Sequence, residues 1–299
     1  MSEYHNPVLL EESVSALIGD KAGVYADATF GGGGHSALIL SRLSRKGRLL
    51  AFDRDADALE NAPEDKRLTL IHNNFRFIHN FALLYEVEFD GILADLGVSS
   101  HQFDTEERGF SFRFDTALDM RMNAEGERTA ADVVNEYPVE KLEEILRLYG
   151  EVENPLRVAR LIDEARRLSP IRTTGELNKA VESALPPYAD HKWLAKLYQA
   201  LRIEVNEEMR SLEKFLQGAA ESLKQGGKLA VITYHSLEDR MVNNFVKTGN
   251  IAGEEQKDQF GNASAPLKAV NRKPILPSEE EIQTNTRARS AKLRIAEKL

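Results

Sequence analysis

Asp27-Ala-Thr-Phe-Gly-Gly-Gly-Gly-His-Ser36 is the stretch on which the reading of this chain turns. Ahead of it, Ala22-Gly-Val-Tyr-Ala-Asp27 is a short apolar run of strand character. Behind it, Ala37-Leu-Ile-Leu-Ser-Arg-Leu43 is apolar-rich and reads as a helix. A strand, a run of glycines and a helix start make a place where backbone can approach a ligand with no Cβ in the way. The N–H groups of a first helical turn favour a carboxylate or phosphate there. The segment therefore predicts a nucleotide-type cofactor site.

Working outward, β-branched apolar runs recur at Val24–Asp27, Arg48–Asp53, Leu68–His72 and Phe89–Asp95, with helical segments between them. That alternation predicts right-handed βαβ units and a parallel, Rossmann-like α/β sheet. The next strand, Lys228-Leu-Ala-Val-Ile-Thr-Tyr234, comes about 130 residues later, far beyond an ordinary crossover. The intervening sequence is helical in pattern. Val139, Leu142, Ile145, Leu146 and Tyr149 share one helix face, with Pro138 before them and Gly150 after. Leu156–Leu168 and Gly175–Leu185 repeat the pattern. Leu194, Leu197, Leu201, Val205, Met209, Leu212, Leu216 and Leu223 continue it up to Gly226-Gly227. A periodic run of that length is expected to break once or to curve. The expected organisation is a discontinuous cofactor-binding domain, 1–125 plus 206–299, interrupted by a small all-helical domain over 126–205.

Composition bounds the rest. The chain has 299 residues, 42% hydrophobic and 29% charged, as soluble globular proteins do. It has no apolar run near the roughly 20 residues a bilayer span needs, and no signal-peptide pattern, so a cytoplasmic location with no membrane partner is expected. With no cysteine there is no disulfide, thiolate zinc site or cysteine nucleophile, and no histidine or acid pair at metal-ligand spacing has a convincing partner. A net charge of −9 argues against non-specific coating of nucleic acid. Two local basic clusters remain compatible with structured RNA: Arg157, Arg160, Arg166, Arg167 and Arg172, and a C-terminal set including Arg287, Arg289, Lys292 and Arg294. Composition leaves the oligomeric state open.

The glycine loop nearly matches a dinucleotide fingerprint, as Gly31-x-Gly33-x-x-Ser36, with Asp53 at the tip of the second strand. That acid suits the adenosine ribose of either a nicotinamide cofactor or S-adenosylmethionine. Asp27-x-x-x-Gly31-x-Gly33 resembles the first motif of S-adenosylmethionine-dependent methyltransferases. Asp27, Asp53 and Asp95 are expected to line the C-terminal strand edge where ligands of open parallel sheets lie, with Phe75 available to cover an adenine.

A broader resemblance spans nearly the whole chain. His5-Asn-Pro-Val-Leu-Leu-Glu11, Gly31–Ser36, Asp95-Leu-Gly-Val-Ser-Ser-His-Gln102, Arg108-Gly-Phe-Ser-Phe112 and Leu118-Asp-Met-Arg-Met122 resemble the bacterial 16S rRNA cytosine-N4 methyltransferases. So do Gln199-Ala-Leu-Arg-Ile-Glu-Val-Asn206, His235-Ser-Leu-Glu-Asp-Arg240 and Arg287-Ala-Arg-Ser-Ala-Lys-Leu-Arg294, all in the family's order. Lys192-Trp-Leu-Ala-Lys-Leu-Tyr-Gln199 and Asn271-Arg-Lys-Pro274 depart from its usual pattern. The resemblance implies methylation of the exocyclic amine of a cytidine in the decoding region of 16S rRNA of the small ribosomal subunit. It implies cofactor contacts at Gly33, Gly34, His35, Asp53, Phe75, Asp95 and Gln102, beside Asp27 and Gly31 of the loop.

Methyl transfer from a sulfonium is an in-line displacement that rests on alignment. The cytosine amine is a weak nucleophile, so an acceptor on its hydrogens would help it. Asp95 beside Leu96-Gly97 is the candidate, with a contact to cofactor alone as the alternative. His235 could take the amine's proton, or could simply fix its turn through Glu238 or Asp239. Asp119 and Arg121 are candidates for holding a flipped cytidine, and Phe103, Phe110 or Phe112 for stacking on it. Arg166, Arg167, Arg287 and Arg289 are candidates for gripping RNA phosphates. A nicotinamide oxidoreductase and a ribosome-assembly factor without turnover are the competing readings.

Overall fold

The computed structural model describes residues 7–59, 62–97, 108–187, 190–255 and 265–299. The chain divides into two compact units, 1–97 with 209–299 and 98–208.

The first unit is built on a sheet that has seven strands among the described residues. The four expected runs form β1 (Val24–Asp27), β2 (Arg48–Asp53), β3 (Leu68–His72) and β4 (Phe89–Asp95). They are followed in the sheet by β5 (Leu223–Thr233), β6 (Leu267–Ala269) and β7 (Lys292–Lys298). The spatial order is β3-β2-β1-β4-β5-β7-β6. β1 to β5 run parallel, and β7 runs antiparallel to both β5 and β6. The order reverses between β1 and β4, so a ligand cleft is expected beyond their C-terminal ends.

Both faces of the sheet are covered, which is why Leu49, Leu50, Ala51 and Phe52 form a continuous apolar run with none of them exposed. One face packs Phe52, Phe89 and Ile92 against Phe215 and Leu216 of a helix over Glu208–Ser222 and Phe245 of another over Ser236–Thr248. The other packs Tyr25, Leu49 and Leu93 against Val14 and Leu17 of α1 (Leu10–Leu17) and Ile39 and Leu40 of α2 (Gly34–Arg42).

β6 and β7 depart from expectation, because the basic C-terminal stretch reads as a tail. It alternates instead: Leu293, Ile295 and Ala296 are buried in the sheet, while Lys292 and Arg294 reach Asp239. The basic residues of β7 are thereby used in fastening it to the helix over Ser236–Thr248.

The second unit is helical, with helices over Ala130–Glu136, Val139–Gly150, Pro155–Leu168, Thr174–Val181 and Asp190–Val205. Its N-terminal boundary lies well before the expected residue 126. Phe110, Leu118, Met120 and Met122 are buried with Val133, Leu146, Val158, Leu177 and Leu197 in one core, so this stretch packs with the helices. The side chain of Asn206 fixes it further, accepting from Met122 N at 2.8 Å and donating to Met120 O at 2.8 Å. The long periodic run breaks once, at Asn206-Glu207, where Glu207 takes a left-handed φ of 47°.

Candidate active site

Asp27, Asp53 and Asp95 end strands that are neighbours in the sheet, so the parallel registers bring them to one edge. Their surroundings differ. Asp27 is 0% exposed. Its Oδ1 accepts the N–H of Thr29 at 3.1 Å and its Oδ2 accepts the hydroxyl of Ser36 at 2.7 Å. It ties the start of the glycine loop to the first turn of α2 and offers no surface to a ligand. This corrects the expectation that Asp27 touches cofactor: the loop that follows a central strand folds back over its own acid.

Asp53 holds the loop from the other side. Its Oδ2 accepts the N–H of Gly31 at 2.8 Å, and its Oδ1 accepts that of Asp55 at 2.9 Å. It is only half-buried, and each carboxylate oxygen keeps a second lone pair for a donor such as a hydroxyl. Asp95 lies between these extremes. Its N–H donates to Thr29 Oγ1 at 2.7 Å, its Oδ1 accepts from Gly97 N at 3.4 Å, and its side chain is 20% exposed. Burial pushes all three carboxyls above the usual range. The charge of His35 and local hydrogen bonds draw Asp27 and Asp95 part of the way back, and the N–H groups of Asp55 and Gly31 do so for Asp53.

The loop can adopt this path only with glycine at two places. Gly31 has φ of 51° and Gly33, the N-cap of α2, has φ of 76°. A Cβ on Gly33 would also strike the Phe30 ring at 2.9 Å, whereas one on Gly31 would meet nothing nearer than Thr29 O at 3.9 Å. The Gly31 side of the loop is open. Gly34 is closed off instead by Pro7, whose Cγ would lie 2.1 Å from an added Cβ. His35 Nε2 lies 3.2 Å from Val8 O, which can only accept, so Nε2 carries a proton, and Nδ1 faces Asp95 Oδ2 at 4.0 Å. His35 is thus a spacer between two acids. Phe75 opens a short 3-10 turn, Phe75–Phe77, just beyond β3, and packs edge-on to Phe215 at 5.1 Å while staying half-buried. Gln102 and Phe103 lie outside the described residues.

His235 is the N-cap of the helix over Ser236–Thr248 and belongs to a capping box. Its Nδ1 accepts from Glu238 N at 3.4 Å, and its Nε2 lies 3.0 Å from Glu238 Oε1. Both ring nitrogens face the same glutamate, which corrects the role of proton acceptor and leaves the turn-fixing role.

A glycine-loop cofactor edge of this kind suits several transferases and dehydrogenases, and sequence comparison separates them. The MraW methylase family pattern matches residues 2–299. The chain belongs to the MraW methylase family. A protein of Bacteroides fragilis named ribosomal RNA small subunit methyltransferase H is 55% identical over 296 residues, covering 99% of this chain and 97% of that protein. Proteins of the same name from Flavobacterium johnsoniae and Parabacteroides distasonis are 54% and 51% identical over 298 residues, each with 99% of this chain and 98% of the relative covered. Membership removes the nicotinamide alternative that the glycine loop leaves open.

Two residues of this MraW-family site escape sequence reasoning. Thr29 joins the ends of β1 and β4 by accepting from Asp95 while donating its own N–H to Asp27. Tyr234, next after β5, places its ring where a Cβ on Gly97 would stand, 2.8 Å from Cε2, with its hydroxyl oxygen 3.4 Å from that position and beside the turn in which Gly97 N meets Asp95 Oδ1. The signal for both is sheet adjacency, since each meets Asp95 across a strand boundary that a linear pattern does not reveal.

The substrate candidates fall apart into separate roles. Asp119 takes Arg121 in a two-pronged pair, Oδ1 from Nε at 2.8 Å and Oδ2 from Nη2 at 2.7 Å, and Arg121 Nη1 reaches Gly126 O at 2.7 Å. Burial raises the Asp119 carboxyl, but the Arg121 guanidinium outweighs it and holds the group below its usual range. The pair braces a loop of the helical unit. Phe110 is buried in that unit's core and Phe112 packs edge-on to Tyr198, so core packing accounts for both. Arg166 is also internal, a correction to its reading as a phosphate grip. It donates to Val134 O at 2.9 Å, Tyr137 O at 2.7 Å and Asp163 Oδ1 at 2.7 Å, filling the carbonyl acceptors at the end of the Ala130–Glu136 helix. Arg167 is exposed, with only a surface pair to Asp163 at 2.7 Å. Arg287 and Arg289 sit on a 3-10 turn, Thr286–Ser290, anchored by buried Ala288, with Arg289 exposed and Arg287 half-buried.

Proposed function

We propose that this chain is an S-adenosylmethionine-dependent methyltransferase that modifies the exocyclic N4 amine of a cytidine in the decoding region of 16S rRNA. The observation that carries the reading is the half-exposed acid edge around the glycine loop in a chain 55% identical to a named small-subunit rRNA methyltransferase. The residues suit the cofactor in kind. Gly31 leaves the loop open, the first-turn N–H groups of Gly34 and His35 complement a carboxylate, Asp53 suits ribose hydroxyls and Phe75 offers a ring for adenine. When bound, S-adenosylmethionine supplies a sulfonium methyl carbon to which the amine nitrogen bonds as the carbon–sulfur bond breaks, the electron pair passing to sulfur and the extra amine proton to solvent.

Asp95 is the acceptor for an amine hydrogen, keeping nitrogen density directed along the line of attack and stabilising the positive charge that develops. The Leu96-Gly97 backbone continues that turn. Asp27 and Thr29 hold the strand ends together so that the acceptor does not move. Arg287, Arg289 and Arg167 offer cations to RNA phosphates, and the helical unit supplies the RNA-recognising surface. The base must leave its stack to be reached. The workplace is the cytoplasm, on the small ribosomal subunit, and no described helix is long and apolar enough to cross a membrane.

Incubating the protein with S-adenosylmethionine and under-methylated small subunits, then mapping modified cytidines by mass spectrometry, tests the reading. N4-methylcytidine at one decoding-region position is expected. Asp95→Asn should lower the single-turnover rate by about 100-fold or more, as loss of a directed transition-state partner does. An unmodified rRNA would refute the activity, and an Asp95→Asn variant of wild-type rate would remove Asp95 from it.

A further inference from the structure

We infer that Tyr234 is a positioning residue for methyl transfer: it orients the Asp95 carboxylate by donating its phenolic hydrogen, and holds the Asp95-Leu96-Gly97 turn with its ring. The inference deepens the proposed function and rests on the acceptor role of Asp95 stated there.

Register brings the pieces together. β5 pairs with β4 so that Ile232 lies opposite Asp95, and Leu96 N continues the ladder by donating to Ile232 O at 3.0 Å. Two residues beyond Ile232, just past the end of β5, Tyr234 therefore stands beside Gly97. Its ring is so close that any side chain on Gly97 would overlap it: an added Cβ would lie 2.8 Å from Cε2, 3.1 Å from Cζ and 3.4 Å from the hydroxyl oxygen. Gly97 is small because Tyr234 occupies its side-chain space. The hydroxyl therefore stands beside the turn in which Asp95 Oδ1 accepts from Gly97 N at 3.4 Å, within reach of the same carboxylate. Tyr234 is itself held at its backbone, where its N–H donates to Glu238 Oε2 at 2.8 Å, and Glu238 is part of the capping box made with His235. A chain of contacts thus runs from the buried Glu238 to the acid at the ligand edge.

The charged groups that face this pair come from several elements. Asp95 faces His35 from α2 and Asp27 from β1, while Tyr234 faces Asp95, Glu238 and Glu281. Burial, and then these carboxylates, push the phenol well above its usual range, so it remains a proton donor at every pH at which the protein works. An ionised Asp95 gains a charge-assisted hydrogen bond from it. The bond also takes up lone-pair capacity on the carboxylate and so restricts how the carboxylate can rotate. A carboxylate free to rotate would offer the amine an acceptor in many orientations, of which few serve an in-line displacement.

Tyr234→Phe keeps the ring against Gly97 and removes only the donor. Measured with the full chain and under-methylated small subunits, the variant is expected to bind S-adenosylmethionine within about twofold of wild type while its single-turnover rate falls about tenfold, the size of one charge-assisted hydrogen bond. The acidic limb of the rate profile should also move to higher pH, because the lost donor no longer favours the Asp95 anion. Replacing Tyr234 with a fluorinated tyrosine, a stronger donor of nearly the same shape, should move that limb the opposite way. If both variants follow the wild-type profile while Asp95→Asn is impaired, Tyr234 merely packs and the inference is overturned. If Asp95→Asn transfers methyl at the wild-type rate, the acceptor reading fails and the inference falls with it. Weaker cofactor binding by Tyr234→Phe with an unchanged rate at saturation would also overturn it, placing Tyr234 in the cofactor cradle.

Discussion

Asp27, Asp53 and Asp95 look alike in sequence, yet each has a separate duty set by its exposure and donors. Asp27 is sealed under the loop by Thr29 and Ser36, Asp53 keeps lone pairs outward, and Asp95 presents part of its carboxylate. Asp53→Ala should weaken S-adenosylmethionine binding about 10- to 100-fold, the range for losing hydrogen bonds to a charged group, and calorimetric titration would read it. Affinity equal to wild type would remove Asp53 from the ribose site. His235 is read differently. As an N-cap whose ring nitrogens both face Glu238, it should be replaceable by Asn with the rate nearly unchanged, whereas Ala should cost about 1 kcal/mol of stability in denaturant titration. A His235→Asn protein that folds but transfers no methyl would restore the proton-acceptor role.

At the level of elements, the basic segments show why clustered arginines are a weak guide. Arg166 belongs to the helix over Pro155–Leu168, whose partner helix ends with open carbonyls at Val134 and Tyr137, and its guanidinium fills them. Arg289 rides a 3-10 turn whose buried Ala288 faces inward, leaving its own side chain outward. The turn precedes β7, which starts opposite Thr233 at the C-terminal end of β5, so the turn lies towards the ligand edge of the sheet. Arg166→Ala is accordingly expected to cost about 2–3 kcal/mol of stability, as removal of a buried hydrogen-bonded cation does, with cofactor affinity retained. Arg289→Glu should leave melting temperature and cofactor affinity unchanged and weaken binding to small subunits, with a shallower salt dependence than wild type. Equal binding and equal salt dependence would separate that turn from RNA.

Over the whole molecule, the three acids at one edge leave a mark on stability. Each has its folded carboxyl raised above the unfolded value, so each contributes most favourably below the unfolded pKa, and that contribution is lost as pH rises through the folded one. Asp27→Asn, which can still accept from Thr29 and donate to Ser36, should therefore gain stability relative to wild type as pH is raised from acid to neutral, read by denaturant unfolding. A difference independent of pH would show that Asp27 is not held against its charge. Much of this was legible in the chain. The runs ending in Asp27, Asp53 and Asp95 form strands at their expected bounds, because parallel strands buried on both faces must be continuously apolar. The glycine loop was legible because positive φ at Gly31 and Gly33 is a local demand. The extent of the helical unit was not, since residues 108–122 carry no helical period and join that unit only by burying Phe110, Leu118, Met120 and Met122. Nor were β7, Arg166 or Tyr234, whose partners Asp239, Val134 and Asp95 are remote in sequence. The sequence by itself determined the parallel strands, the loop and the family, because these rest on backbone conformation and on local order of residues. Which acid is sealed, which arginine is spent on carbonyls and which side chain steadies Asp95 were decided only by tertiary structure, because burial and hydrogen-bond partnership are properties of neighbours in space.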